Sequence, residues 1–313
     1  MSVVLTLASL AIVCLPVAAR RLGRRIVPAE WARLTSVALG LGAAGVEVGL
    51  LLLGAPTVLR AAGVPELASA CERTTGSLAL GGTTVGWVAI AMAVAVGLLA
   101  LRGIARALQL RRLARAEPAL GEHATRNGYE LVILPTARLM AVTVPGRPPQ
   151  VVVTQGLVSS VSAEQLEIVL RHEEVHLVER HDRYLLLAAA VDAGFGWLPW
   201  VRGSVHELRL ALERWADDEA ASTTNGGRAG VRDALIQVGR TMLTAPDLAA
   251  FSNGDLLVDR LEALSMAAPA PSVFGRALVY APGLSLAVTS GAGLGLWIGQ
   301  ARMMLSMSGL CHI

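Results

Sequence analysis

The sequence predicts a membrane α-helical bundle of four spans, with a cytoplasmic α+β domain inserted between spans three and four. Three observations carry this. Hydrophobic residues make up 54% of the chain and charged residues 16%, and mean hydropathy is +0.56, far from an average soluble domain. Four stretches, 2–19, 34–59, 77–101 and 278–299, are apolar on the scale of the roughly 20 helical residues that cross a bilayer core of about 30 Å. Arginines gather at chosen ends of those stretches. The expected division is 1–101 for three spans and short loops, 102–277 for the inserted domain, and 278–313 for the fourth span and a short tail.

Each span has its own justification. The first is the shortest. Its arginines follow the apolar run instead of preceding it, so it reads as a span and not as a cleaved signal peptide. Arg20, Arg21, Arg24, Arg25 and Arg33 separate spans one and two. Arg102, Arg106, Arg111, Arg112 and Arg115 follow span three. The loop between spans two and three is balanced, with Arg60 and Arg73 against Glu66 and Glu72. The positive-inside rule then places both termini outside and the inserted domain in the cytoplasm of a cell with this chain in its inner (cytoplasmic) membrane. The net charge of +3 does not indicate nucleic acid, because the basic clusters hug membrane ends where anionic headgroups satisfy them. The partner expected from composition is the lipid bilayer.

The inserted domain opens with a basic helix over 102–116, ended by Glu117-Pro118. Three β-rich runs follow, at 129–134, 139–144 and 151–154, punctuated by Pro135 and by the proline-rich stretch 145–149. A helix over about 162–182 comes next. Ser162 and Gln165 give it a capping box, and Leu166, Val169, Leu170 and Leu177 give it an apolar stripe. An apolar helix over about 183–197 reads as a core helix or one lying against the bilayer, because it is short for a span. Leu198-Pro199-Trp200 breaks the chain. A helix over about 203–224 is stopped by Asn225-Gly226-Gly227, and 231–241 and 255–266 read as two amphipathic helices.

Chemistry concentrates in His172-Glu173-Glu174-Val175-His176. Residues four apart share one helix face, so His172 and His176 can grip one metal ion. Glu173 then lies beside that face, placed to take a proton from water. This is the spacing of zinc-dependent peptide hydrolysis. A catalytic zinc site takes a third protein ligand, and His181, Asp182, His206, Glu213, Asp217 and Asp218 are the candidates. Asp182 has the spacing of a chain that turns sharply at a glycine, but position 179 is Glu, so that turn is not expected. His206 is the fallback. Glu213 is the best choice. Glu213 and Asp217 share a face, so that one can bind metal while the other accepts a hydrogen bond from a ligand histidine.

H-E-x-x-H followed by Glu213-Arg214-Trp215-Ala216-Asp217-Asp218-Glu219-Ala220, with a Pro-Trp break between them, resembles the gluzincin membrane proteases of the HtpX and BlaR/MecR types. Three spans, a protease domain and a fourth span is also the BlaR/MecR order. Asp182 is similar to the Asp that closes the metal helix in those proteins, and 256–264, with Asp259-Arg260, resembles the short helix before their last span. The resemblance implies a gluzincin-like zinc endopeptidase, with Zn2+ on His172, His176 and Glu213, Glu173 as general base, and Asp217 behind a ligand histidine. It implies a protein substrate, such as a BlaI-like transcriptional repressor cleaved in signal transduction. Turnover of membrane proteins in quality control is the alternative proteolytic role. No penicillin-binding sensor domain follows the fourth stretch, so β-lactam sensing is not expected. A non-catalytic signalling or scaffold protein with a structural metal site is the reading from another class, which metal analysis separates from an enzyme.

Three features remain. Glu47 lies near the middle of span two, where a charge is costly, and Thr83, Thr84, Ser285 and Thr289 are its candidate partners. Gly45 and Gly49 form G-x-x-x-G, and Ala287, Gly291, Gly295 and Gly299 repeat on the fourth stretch. Such faces permit close helix contact within the chain or in a homo-oligomer. Cys71 and Cys311 both fall on the predicted outer, oxidising side, while 102–277 contains no cysteine. A Cys71–Cys311 disulfide is therefore expected, with Cys14 a small apolar residue inside span one.

Overall fold

The computed structural model describes residues 2–75, 82–116, 121–244 and 254–269. The described chain is mostly helical, with one small mixed sheet. Helix α1 covers Ser2–Ala18 and a short α2 covers Arg20–Gly23. Then come α3, Pro28–Ala61, and α5, Gly82–Ala116, with a short α4, Pro65–Thr75, between them. Two helices, α3 and α5, are long and apolar enough to cross a membrane, and α1 is shorter. The fourth apolar stretch, its glycine repeat, Ser285, Thr289 and Cys311 lie outside the described residues. Cys71 is buried on α4.

Small residues set the helix approach in the bundle. A Cβ added at Gly45 or Gly49 of α3 would run into Ser9 or Thr6 of α1. The two helices therefore meet backbone to backbone. Helices α3 and α5 run antiparallel, with Gly86 against Thr57 and Gly54 against Ile90. That register carries Glu47 to Gly97 and leaves Thr83 and Thr84 at the far end of the pair. Neither threonine is its partner, and Glu47 Oε2 has no hydrogen-bond partner among the described residues.

The sheet holds four strands: β1, Glu122–Arg126; β2, Tyr129–Leu134; β3, Ala141–Val144; and β4, Gln150–Thr154. Their order is β1-β2-β4-β3. Strands β2 and β4 are parallel, and the outer pairs are antiparallel. Successive side chains alternate faces. Tyr129, Val151 and Val153 thus meet Leu170 on one face, and Val132, Val144 and Val152 pack with Ala114 of α5 on the other. Strand β1 was not expected from the sequence, because Glu122–Arg126 is polar and almost wholly exposed.

A short α6, Gln155–Ser160, leads into α7, Ala163–Val178. Both halves of the Ser162–Gln165 capping box form, at 3.0 and 3.2 Å. Helix α7 ends four residues sooner than the predicted 182. Arg180 adopts the left-handed conformation, φ 55° and ψ 45°, and α8, His181–Phe195, starts there. A turn that seemed to need glycine is made by arginine, a conformation costing roughly 1–2 kcal/mol.

Helix α9, Pro199–Thr223, runs through the centre of the molecule. Val201, Val205, Leu208 and Leu212 pack there with Trp31 and Leu39 of α3. Its buried Arg214 donates to the carbonyl oxygens of Gly23 and Arg24, at 3.4 and 3.3 Å, satisfying carbonyls at the end of α2. Helices α10, Gly227–Thr244, and α11, Gly254–Ser265, complete the fold. Arg24 pairs with Asp259 and Glu262 of α11, both at 3.1 Å.

Candidate metal centre

The centre is built where α7 crosses α9. His172 and His176 are one turn apart on α7, and their Nε2 atoms lie 3.1 Å apart. Glu213 of α9 brings Oε2 to 3.5 Å from His172 Nε2 and Oε1 to 3.7 Å from His176 Nε2. These three residues form a group able to hold a metal ion, with all their ligand atoms within 4.8 Å of one another. Tetrahedral zinc with ligands at about 2.0–2.1 Å separates neighbouring donors by about 3.3 Å. The observed spacings match that edge length, and two imidazoles with one carboxylate are a donor set that zinc takes.

Both histidines are oriented from behind. His172 Nδ1 lies 3.0 Å from Asp217 Oδ1. Burial works against a charged His172, but the hydrogen bonds to Asp217 and Glu213 outweigh it and raise its pKa to about 9. His176 Nδ1 lies 2.8 Å from Nδ1 of His181. Burial, and then the charge of His172, holds His176 down at about 3; burial likewise holds His181 at about 4. Between two neutral rings one nitrogen must donate. If His176 Nδ1–H donates to His181, the Nε2 lone pair of His176 is left facing the donor cluster. His181 is fully buried, with its ring centroid 4.7 Å from that of His176 and 4.8 Å from that of Trp215.

Arg260 of α11 closes the other side. Its Nε and Nη2 donate to Asp217 at 2.8 and 2.7 Å, and Nη1 lies 2.9 Å from Glu213 Oε2. Burial opposes the charge of Glu213, yet Arg260 and His172 hold its pKa well below the ordinary carboxylate range.

Glu173 lines the same cavity, of about 410 Å³, as the three cluster residues. Burial raises its pKa to about 7, against the nearby charge of His172. Its lining includes Met140 with residues of β3, and the apolar Val231, Leu235 and Val238 of α10. Among the described strands β3 pairs only with β4.

The remaining sequence candidates are placed elsewhere. Asp182 is bound by Arg111 of α5. Asp218 pairs with Arg228, and His206 is not among the clustered donors. His181 supports a cluster histidine instead of joining the cluster. Its position depends on the left-handed break at Arg180, which has no local sequence signal. The reach of Arg260 to Asp217 spans 43 residues and had no signal beyond its place on a short helix.

Comparison with protein families matches residues 108–201 to Peptidase family M48. No curated protein and no solved structure matches the chain. The matched stretch contains the sheet, α7 and α8 and stops before Glu213, which the fold of α9 adds to the cluster. Residues 108–201 are thus similar to Peptidase family M48, and the His172, His176 and Glu213 cluster fits the H-E-x-x-H-plus-Glu metal site of a zinc metallopeptidase.

Proposed function

We propose that the chain is an integral-membrane zinc endopeptidase that cleaves a cytoplasmic or membrane protein, with His172, His176 and Glu213 as ligands and Glu173 as general base. The convergence of those three donors beside a buried Glu173, in one cavity next to an outer strand, carries the reading. Zinc held there supplies Lewis acidity toward the scissile carbonyl and toward water. Glu173, poised near neutral pH, takes the proton of the attacking water and passes it to the leaving amine. Asp217 and His181 fix the imidazole tautomers, and Arg260 neutralises the paired carboxylates. An extended substrate adds to the outer edge of β3 and sends a side chain toward the apolar lining.

Helices α3 and α5 support a membrane location, and the arginine collars favour the cytoplasmic side for the proposed peptidase domain, 102–277. Four spans in the BlaR/MecR order, and regulated cleavage of a BlaI-like repressor, complete the proposed role; quality control is the alternative. The full chain purified in detergent should hydrolyse an unfolded protein such as casein, lose that activity to a zinc chelator and regain it with zinc. Proteomics of cells lacking the activity then separates the roles: a stabilised soluble DNA-binding repressor supports regulation, and accumulated membrane proteins support quality control.

A further inference from the structure

We infer that the junction of α8 with α9, with Trp197 in the turn 196–198 and Trp200 in the first turn of α9, is a lipid anchor seated in the cytoplasmic interface of the bilayer. The inference rests on the membrane placement proposed above. Helix α8 runs antiparallel along α5 in constant register. Asp182 is bonded to Arg111, Ala189 and Ala193 meet Gly103 at 2.6 Å from where its Cβ would be, and Gly194 meets Val96 and Ala100. Arg102 begins the arginine collar, so everything on α8 past Ala193 lies beside the apolar part of α5. Other residues there, including Leu98 and Leu101, turn large side chains outward.

The turn itself has the chemistry of an interface. Trp197 and Trp200 are 64% and 61% exposed, large apolar surface that a water-facing turn would leave uncovered. Tryptophan concentrates where hydrocarbon meets headgroups, its ring apolar and its N–H a donor. Charged groups sit on the shoulder of the turn. Arg202 Nε donates to the Gly196 carbonyl at 3.0 Å, and Arg209 pairs with Asp192 at 3.8 Å. That order, aromatic at the tip and charged above it, is that of a shallow insertion and not of a span. Asp182 meets α5 nine residues beyond Arg102, about 14 Å along the helix. The anchor therefore holds the metal-site end of α8 close to the membrane, within reach of a substrate's membrane-proximal segment.

The test uses the full chain in phosphatidylcholine vesicles whose lipids carry bromine either near the glycerol end or near the chain terminus. Comparing wild type with the Trp197→Phe/Trp200→Phe variant isolates the emission of the two residues. Trp87→Phe isolates a tryptophan on the exposed face of α5. The Trp197/Trp200 component should lose emission to the shallow bromine, lose less to the deep bromine, and resist aqueous iodide. Quenching by iodide with no loss to bromine, while Trp87 is quenched by lipid, overturns the anchor and leaves the spans intact. Protection from iodide without lipid quenching means that protein covers the turn, and also overturns it. Equal or greater loss to the deep bromine removes the interface assignment. If Trp87 is not quenched either, the membrane placement itself fails and the anchor with it, whereas the peptidase chemistry is judged separately by its own assay.

Discussion

Arg260 holds Asp217 through a two-pronged contact, Nε and Nη2 at 2.8 and 2.7 Å, and Asp217 in turn faces His172 Nδ1 at 3.0 Å. A guanidinium from α11 is thereby coupled, through one carboxylate of α9, to a candidate metal ligand of α7. Removing one partner of a buried ion pair leaves the other uncompensated, at about 3–5 kcal/mol. Arg260→Ala should lower the denaturation midpoint of the detergent-solubilised chain by a corresponding amount. Arg260→Lys restores the charge but not the fork, and should recover only part of it. An Arg260→Ala chain as stable as wild type would break this coupling.

His181 Nδ1 lies 2.8 Å from His176 Nδ1, where it can accept a hydrogen bond from that ring. Losing the partner behind a metal-binding histidine typically lowers metal affinity about 10–100-fold. His181→Phe should show that loss in a zinc competition titration. His181→Asn, whose side-chain oxygen can accept the same hydrogen bond, should restore most of the affinity. Equal affinity in all three chains would reduce His181 to a packing residue.

The contact of α5 with α8 depends on the absence of a side chain at Gly103, where a Cβ would lie 2.6 Å from both the Ala189 carbonyl oxygen and the Ala193 Cβ. Backbone cannot yield as a side-chain tip does. Gly103→Val should cost about 1–3 kcal/mol, as overpacking does, read as a lower melting temperature in detergent. An unchanged melting temperature would mean that the two helices do not meet here.

Arg126 of β1 ties the sheet to α7 through Glu167. Its hydrogen bond holds the Glu167 pKa below the ordinary value of 4.5, against the opposing effect of burial. The folded value being the lower one, the stabilisation is fully present above pH 4.5 and fades as pH falls through the folded value. Glu167 is partly exposed, so the effect is about 1 kcal/mol or less. Glu167→Gln should therefore melt slightly below wild type at neutral pH and coincide with it in strong acid. A difference that persists in acid would assign the effect to something other than this ion pair.

The legible parts were those written in local pattern. The four-residue spacing of His172 and His176 needs only a helix, and the Ser162–Gln165 capping box shows where that helix starts. Strands β2 and β4 announce themselves by β-branched runs between prolines. Strand β1 does not, because its residues are polar and its order comes from pairing with β2. Helix α4 has no long apolar stripe to announce it; it is held against α3, with Arg60 on Glu72 at 2.5 Å. In the metal centre the histidines were readable from spacing. The supports behind them were less so, because His181 waits on one left-handed residue and Arg260 on a contact between distant helices.

The most direct measurement pairs zinc content with peptidase rate in the purified full chain and in Glu173→Gln. Glu173 lies outside the donor cluster of His172, His176 and Glu213. The Gln variant should therefore keep one zinc per chain while its rate falls by about 10²–10⁴-fold, the contribution of a positioned general base. A Gln variant that retains both its zinc and its peptidase rate would contradict the account.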